Sequence, residues 1–408
     1  MTNKENVSAY RWVILLAIIP IIISTQIMWL SLAPISSLAE KFYGVSSMSI
    51  ALFSMSYMIM FIIFSFPASW VVDRFGYRYS LIIGAVITAV FGLVRAVFAD
   101  NFTIVLISQF IIAIGQPFLL NISTKVPANW FPISERSTAA GLLTMAQYLG
   151  FVVPMVMAPA VALSSGIPKT LMIFAVIALT SAVIAIIFTK EKPAVTPPGP
   201  VYQKEELSLP AVKKLFLNKP YLLVLLISFI SMGIFNTILT LIETILTPRG
   251  ITSIQSGIVG AIFVITGIIG AVVLPIISDK LRVRVPLFIV AISLLVPVYL
   301  GFTYVKSFVL VSIIAGIAGF SIMGVAPIIF QHGSEVAYPI SEGTSLGVIL
   351  LMGQISGALF IYVFEALNNI TGSIVLPMLL IVSVSALEIP FTFHMKESNL
   401  IKKEAVSK

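Results

Sequence analysis

Apolar residues in this 408-residue chain neither alternate nor recur on a single helical face; they run on uninterrupted. A crossing helix needs about 20 mostly apolar residues, because each adds about 1.5 Å against a hydrocarbon core about 30 Å thick. Twelve such runs can be drawn, at 11–38, 48–72, 79–99, 102–125, 136–163, 168–189, 219–247, 254–277, 285–304, 308–333, 344–368 and 372–394. The pattern predicts an all-α membrane protein with twelve transmembrane helices. Most links are short and turn-rich: Tyr43-Gly44-Val45-Ser46, Ser164-Ser165-Gly166-Ile167-Pro168 and Pro248-Arg249-Gly250. The exception is 190–218, where Pro193, Pro197, Pro198, Pro200 and mixed charges make a solvated linker. Within it Leu207, Val212, Leu215 and Phe216 alternate with Lys213 and Lys214, which predicts a short amphipathic helix on the membrane surface. The chain divides into a six-helix lobe over 1–189, this linker, a second six-helix lobe over 219–394, and a tail over 395–408.

The halves echo one another. Phe131-Pro132-Ile133-Ser134-Glu135 returns as Tyr338-Pro339-Ile340-Ser341-Glu342, and at the same offset of 207 Gln147 maps to Gln354 and Gly150 to Gly357. At an offset of 206, Asp73-Arg74 with Arg78 maps to Asp279-Lys280 with Arg284. A near-constant spacing over separate motifs marks a parallel repeat, the pattern of carriers that rock two lobes about a central site.

Composition turns this pattern into a statement about solvent. Apolar residues make up 59% of the chain and charged residues 10%, whereas a soluble domain carries roughly a quarter charged. Its surface therefore faces lipid. With no cysteine and two histidines, His332 and His394, disulfides and thiol chemistry are excluded, and neither a metal nor a cofactor is expected. The net charge of +8 is distributed as a membrane protein distributes it. Lys41, Arg95, Lys169, Arg249 and Lys306 fall on one side and the remaining 19 of the 24 Lys and Arg residues on the other. The basic side is expected to be cytoplasmic, with both termini on it, and a nucleic-acid partner is not expected. Met1–Tyr10 does not read as a cleavable signal. The absence of cysteine and the Ile-rich helices point to a prokaryotic inner membrane.

The link between spans 2 and 3 reads Ser69-Trp70-Val71-Val72-Asp73-Arg74-Phe75-Gly76-Tyr77-Arg78. It resembles the signature loop of the major facilitator superfamily, with Ser69 in place of the first glycine; the second copy has Arg282 in place of the turn glycine. A carboxylate here can cap a neighbouring helix, whose unpaired N–H groups favour an anion, although Arg74 and Arg78 also fit as plain positive-inside anchors. Further motifs are Lys41-Phe42-Tyr43-Gly44-Val45-Ser46, Ser54-Met55-Ser56-Tyr57-Met58, Asn129-Trp130-Phe131, and Glu335-Val336-Ala337-Tyr338-Pro339 followed by Ser341-Glu342-Gly343-Thr344-Ser345. Together they resemble the feline leukaemia virus subgroup C receptor family, carriers associated with choline and haem. That resemblance implies an aromatic box for a quaternary ammonium group, with its tryptophan at Trp29 and its glutamines at Gln147 and Gln354. The box's tyrosine falls on Asn236, next to Phe235, so one aromatic wall is replaced by an amide.

The repeat points to the same residues. Trp29 and Asn236 are 207 apart, and Gln147 and Gln354 each lie twelve residues inside their helices, about 18 Å, near the bilayer midplane. Two symmetry-related pairs thus mark a candidate substrate site with Phe235 beside it. The competing roles are hydrogen bonding between helices for the glutamines and interfacial anchoring for Trp29. Gln116, Asn121 and Glu243 are further cavity candidates, each with an equally simple structural role. Glu388 lies in an apolar stretch, where a carboxylate implies a partner or a protonatable role. The expected gate comprises Asp73, Arg74, Arg78, Glu135, Asp279, Lys280, Arg284 and Glu342, with each lobe's acid meeting the other lobe's basic link. No P-loop, dinucleotide loop or nucleophile–base constellation is present. The reading is an alternating-access, monomeric carrier of a small organic solute, with an amine such as choline as the first class. A proton-coupled multisubstrate exporter is the alternative, and a channel or membrane-embedded enzyme is a more distant one.

Overall fold

The computed structural model describes residues 8–193, 209–340 and 342–397, with the side chains of 124, 133, 134, 137, 209–211 and 342 outside the description. The chain forms two compact units, Met1–Tyr202 and Gln203–Lys408. In the first are α1 (Tyr10–Leu30), α2 (Ser36–Tyr43), α3 (Ser47–Phe75), α4 (Tyr77–Val97), α5 (Phe102–Leu120), α6 (Ile122–Trp130) and α7 (Ile133–Phe188). In the second are α8 (Leu209–Leu217), α9 (Lys219–Thr240), α10 (Ile242–Leu246), α11 (Ser253–Leu281), α12 (Val285–Tyr304), α13 (Phe308–Ala337), α14 (Glu342–Thr371) and α15 (Val375–Phe393). Among the described residues there is no strand. Helix α8 falls inside the segment read as a linker.

Among the described residues, eleven helical stretches are long and apolar enough to cross a membrane. One of them, Thr138–Phe188, has 51 residues, about 76 Å of helix and more than twice the hydrocarbon thickness. Gly166 interrupts it with φ 84° and ψ 166°, and Pro168 lies just beyond. This stretch has the length of two crossings, matching predicted spans 5 and 6. Three other predicted spans are broken. The first gives way after Leu30 to a 3₁₀ turn at Ala33–Ile35 that holds Pro34, which has no N–H to donate. The fourth breaks at Asn121, four residues after Pro117, and the seventh at Leu241. Apolar length predicted the crossings and passed over the interruptions.

In the first unit α1 packs along α7, α4 against α5 and α7, and α3 against α5; in the second, α11 packs on α13, α9 on α14, and α12 on α13 and α15. Outward-facing apolar residues are common, among them Leu16, Ile187 and Val290 at 65% exposure each. A water-soluble surface does not carry that pattern, and lipid accepts it.

Both units cap their third spanning helix in one way. Glu191, just past the end of α7, accepts from the backbone N–H groups of Tyr77 at 3.3 Å and Arg78 at 2.8 Å. Glu397, 206 residues later, accepts from those of Arg284 at 2.8 Å and Val285 at 2.9 Å. The acid that caps this helix is a glutamate just past the end of each unit's last helix. Gly76 has φ 97°, and a Cβ there would lie 2.7 Å from Glu191 Oε2, so the turn glycine serves both backbone and cap. Its counterpart Arg282 still adopts φ 54°. Replacing Glu191 or Glu397 by Ala is expected to cost about 0.5–2 kcal/mol and to lower the melting temperature of the detergent-purified protein; an unchanged melt would show the cap to be dispensable.

Candidate functional site

Trp29 occupies the last turn of α1 and is buried. Its Nε1–H donates to the Ser54 carbonyl at 3.0 Å. The ring stacks on Tyr57 of α3 (centroids 6.4 Å, 26°) and meets the edge of Phe151 of α7 (5.2 Å, 74°). Three residues before Trp29, Gln26 faces Gly150, where a Cβ would lie 2.6 Å from Gln26 Cβ and 2.7 Å from the Ile23 carbonyl. Only glycine lets α1 and α7 approach this closely. Gln147 lies one turn before that crossing on α7, and Trp29 about one turn beyond it on α1, so the two flank it.

The second unit repeats the arrangement with the small residue on the other helix. A Cβ at Gly233 of α9 would press on Ser356 Oγ and lie 2.8 Å from Phe360 Cδ2 of α14. Asn236, buried, stands three residues past the crossing, and half-buried Gln354 two residues before Ser356. No hydrogen bond engages the side chains of Gln147, Asn236 or Gln354 among the described residues. Phe235 is half-buried and stacks on Phe263 of α11 (5.9 Å, 27°), so its ring belongs to the α9–α11 contact.

The three secondary candidates serve as ties. Gln116 Nε2 donates to Gln26 Oε1 at 3.4 Å. Asn121 Nδ2 donates to the Ser65 carbonyl at 3.0 Å and to Ser69 Oγ at 2.9 Å, bracing the break between α5 and α6 against α3. Glu243 is fully buried and accepts from Ser253 Oγ at 2.8 Å, joining α10 to the start of α11.

A fully buried, bonded guanidinium in the first unit belongs to a residue whose sequence position marks it only as an outer-side basic residue. Arg95, fully buried in α4, donates to Gln109 Oε1, to Ser31 Oγ at 3.1 Å and to Met28 Sδ at 2.9 Å. Gln109 Nε2 in turn donates to the carbonyls of Met28 at 3.1 Å and Phe53 at 3.2 Å. This pair closes the break in the first span beside Trp29. An ionisable residue inside an apolar run was the available signal.

Ion pairs form within each unit. Arg11 bonds both Glu135 oxygens, at 2.9 and 3.3 Å. Asp73 pairs with Lys125 at 3.4 Å, and Arg74 lies over the Trp70 and Phe75 rings at 5.7 and 5.9 Å. Arg78 uses its backbone N–H on Glu191, while its Nε has no partner. In the second unit Arg284 forks onto Glu335 at 2.7 and 3.1 Å, with Asp279 at 3.6 Å. Lys280 is exposed, and the Glu342 side chain is outside the described residues.

The sequence profile of the Major Facilitator Superfamily matches residues 7–361, and the chain belongs to that superfamily of membrane transporters. It is 26% identical over 376 residues to Solute carrier family 49 member A3 of Xenopus tropicalis, covering 88% of this chain and 78% of that protein. It is 29% identical over 379 residues to the Choline/ethanolamine transporter FLVCR1 of Felis catus, covering 88% and 68%. In fold it is similar to a bacterial homologue of the human lysosomal transporter Spinster, with a TM-score of 0.75 and 16% identity over 95% of this chain and 97% of that one.

Gln109→Leu should strand the Arg95 guanidinium and free two backbone carbonyls, at about 1–3 kcal/mol for each buried group left unpaired. The expected result is a large loss of melting temperature, with Trp29 fluorescence altered before unfolding in a variant lacking the other three tryptophans. A variant indistinguishable from its parent on both readouts would remove Gln109 from this role.

Proposed function

We propose that the protein carries a small organic solute with amine or cationic character across a cell membrane by alternating access. The solute's contacts would be Trp29 and Gln147 in the first unit and Asn236 and Gln354 in the second. The observation that carries this reading is the matched pair of glycine-allowed crossings, each flanked by one midplane glutamine and one partner residue 207 positions from its counterpart. Three amide side chains held near such crossings without hydrogen bonds are free to donate to and accept from a ligand. Relatives named choline/ethanolamine transporters support an amine as the first class. The protein works as a monomer without enzymatic chemistry, and its basic links and termini face the cytoplasm.

Selectivity should differ from that of a two-walled aromatic box. A cation over an aromatic face gains about 0.5–2 kcal/mol, and here Trp29 supplies one face while Asn236 supplies an amide. Phe235, engaged with Phe263, is a bystander. Trp29→Ala should weaken binding of a quaternary amine by about 1–2 kcal/mol, roughly tenfold. Asn236→Tyr should strengthen quaternary amines relative to uncharged solutes. Equilibrium binding of choline to the wild type and both variants tests this, and unaltered affinity on loss of the indole would assign Trp29 to packing alone.

The gate reading carries over to the links. Glu135 and Glu342 would meet the basic links of the opposite unit in the outward-facing state, Glu135 exchanging Arg11 for that partner. Exposed pairs contribute little singly, yet as a set they bias a two-state equilibrium. The double variant Arg74→Ala, Arg78→Ala should shift the population toward inward-facing forms, read as increased labelling of cysteines placed on the cytoplasmic side of the cavity. Labelling equal to the parent's would exclude these arginines from the gate.

A further inference from the structure

Glu388 of α15 is 1% exposed in a helix apolar enough to span a membrane, where an isolated carboxylate is costly and needs a compensating partner. No basic side chain pairs with it among the described residues. It accepts a hydrogen bond from Ser231 Oγ of α9, at 3.0 Å. Ser228 and Ser231 are one turn apart on α9, as Ser385 and Glu388 are on α15, and residues at that spacing share a helix face. The Ser231–Glu388 bond therefore sets all four on the seam between the two helices. Ser228 Oγ is buried there at 2% exposure with no hydrogen-bond partner, and Ser385 Oγ, at 1%, has none beyond the neighbouring Glu388 carboxylate.

Other titratable groups near the seam leave the carboxylate uncompensated. On α12, Tyr299 is fully buried and close enough to feel the Glu388 charge. On α9, Tyr221 is ten residues from Ser231, about 15 Å along the helix, and donates to the Ser345 carbonyl at 2.7 Å. On α14, Glu365 is buried about 10 Å farther along the bundle by helical rise. His394, beyond the end of α15, is exposed, with Nδ1 against the Pro390 carbonyl.

We propose that Glu388, with the hydroxyls of Ser228, Ser231 and Ser385, forms a binding site for one monovalent cation, a proton or a sodium ion. A single carboxylate matches a single positive charge, and hydroxyl oxygens are the hard donors such an ion takes. Two buried hydroxyls with open lone pairs are costly unless something occupies them. Because Ser231 lies five residues, about 7.5 Å, from Asn236 on α9, an ion here can bias the helix that holds a proposed solute contact. That coupling role rests on the transport reading above; the site itself does not.

The test uses full-length, detergent-purified protein without any organic solute. Melting is followed against sodium chloride, replaced by N-methylglucamine chloride at constant ionic strength, and separately against pH in sodium-free buffer. A sodium site predicts a melting temperature that climbs with sodium; a proton site predicts one that climbs only as pH falls. Glu388→Gln, nearly isosteric and neutral, should lose the response that the wild type shows. Ser228→Ala with Ser385→Ala keeps the carboxylate and should weaken an apparent sodium affinity at least threefold while sparing a proton response. A wild type flat to both ions, or an E388Q variant responding as the wild type does, would overturn the site. In proteoliposomes supplied with external choline, an inward gradient of that ion should drive accumulation in the wild type and not in E388Q. Absence of choline transport from both, with the ion-dependent melt intact, would count against the transport reading alone.

Discussion

In hydrocarbon a backbone carbonyl or N–H that loses its helical partner has no water to turn to, and this constraint organises both units. At the break in the first span and at the starts of α4 and α12, side chains from elsewhere in the unit supply partners to the backbone. The break after Leu30 is closed by Gln109 on the Met28 carbonyl and by Arg95 on Ser31. The break at Asn121 is braced by that residue's own amide on the Ser65 carbonyl. The starts of α4 and α12 receive Glu191 and Glu397. Polar residues that look misplaced in apolar runs are therefore largely the means by which irregular backbone is tolerated inside the membrane.

That role separates the polar residues into two groups. Arg95, Gln109, Gln116, Asn121 and Glu243 are spent on neighbouring helices, so their chemistry is committed to the scaffold. Gln147, Asn236 and Gln354 are not committed, and each sits beside a glycine-allowed helix crossing of its unit. Trp29 belongs to both groups: its indole N–H is bound to Ser54 while its ring joins an aromatic cluster with Tyr57 and Phe151. Fixing the indole this way orders its face in advance, and pre-ordering reduces the entropic cost of binding.

Much of the architecture was legible because lipid imposes a simple rule on sequence. Runs near 20 apolar residues located the crossings, and the 207-residue repeat marked equivalent points in the two halves. The helix breaks were not legible: Pro34 and Pro117 lie at or near interruptions, while Pro327 sits inside an unbroken α13. Whether a proline interrupts a helix depends on what a neighbour offers the freed groups. The cap at the start of α4 was not legible for a related reason, since Glu191 is far from Tyr77 in sequence and close to it only in space.

The sequence by itself determined the solvent and the class of fold, and its internal spacing paired Trp29 with Asn236 and Gln147 with Gln354. Those are properties of length, hydropathy and internal spacing, which need no knowledge of contacts. Tertiary structure decided which polar side chains are bonded and which are free, that Phe235 turns to Phe263, and that Arg284 takes Glu335 within its own unit. It also lined up Ser228, Ser231, Ser385 and Glu388 on one seam from helices more than 150 residues apart. Hydrogen bonds and ring contacts act over a few ångströms, so partners distant in the chain are chosen only once the helices have packed.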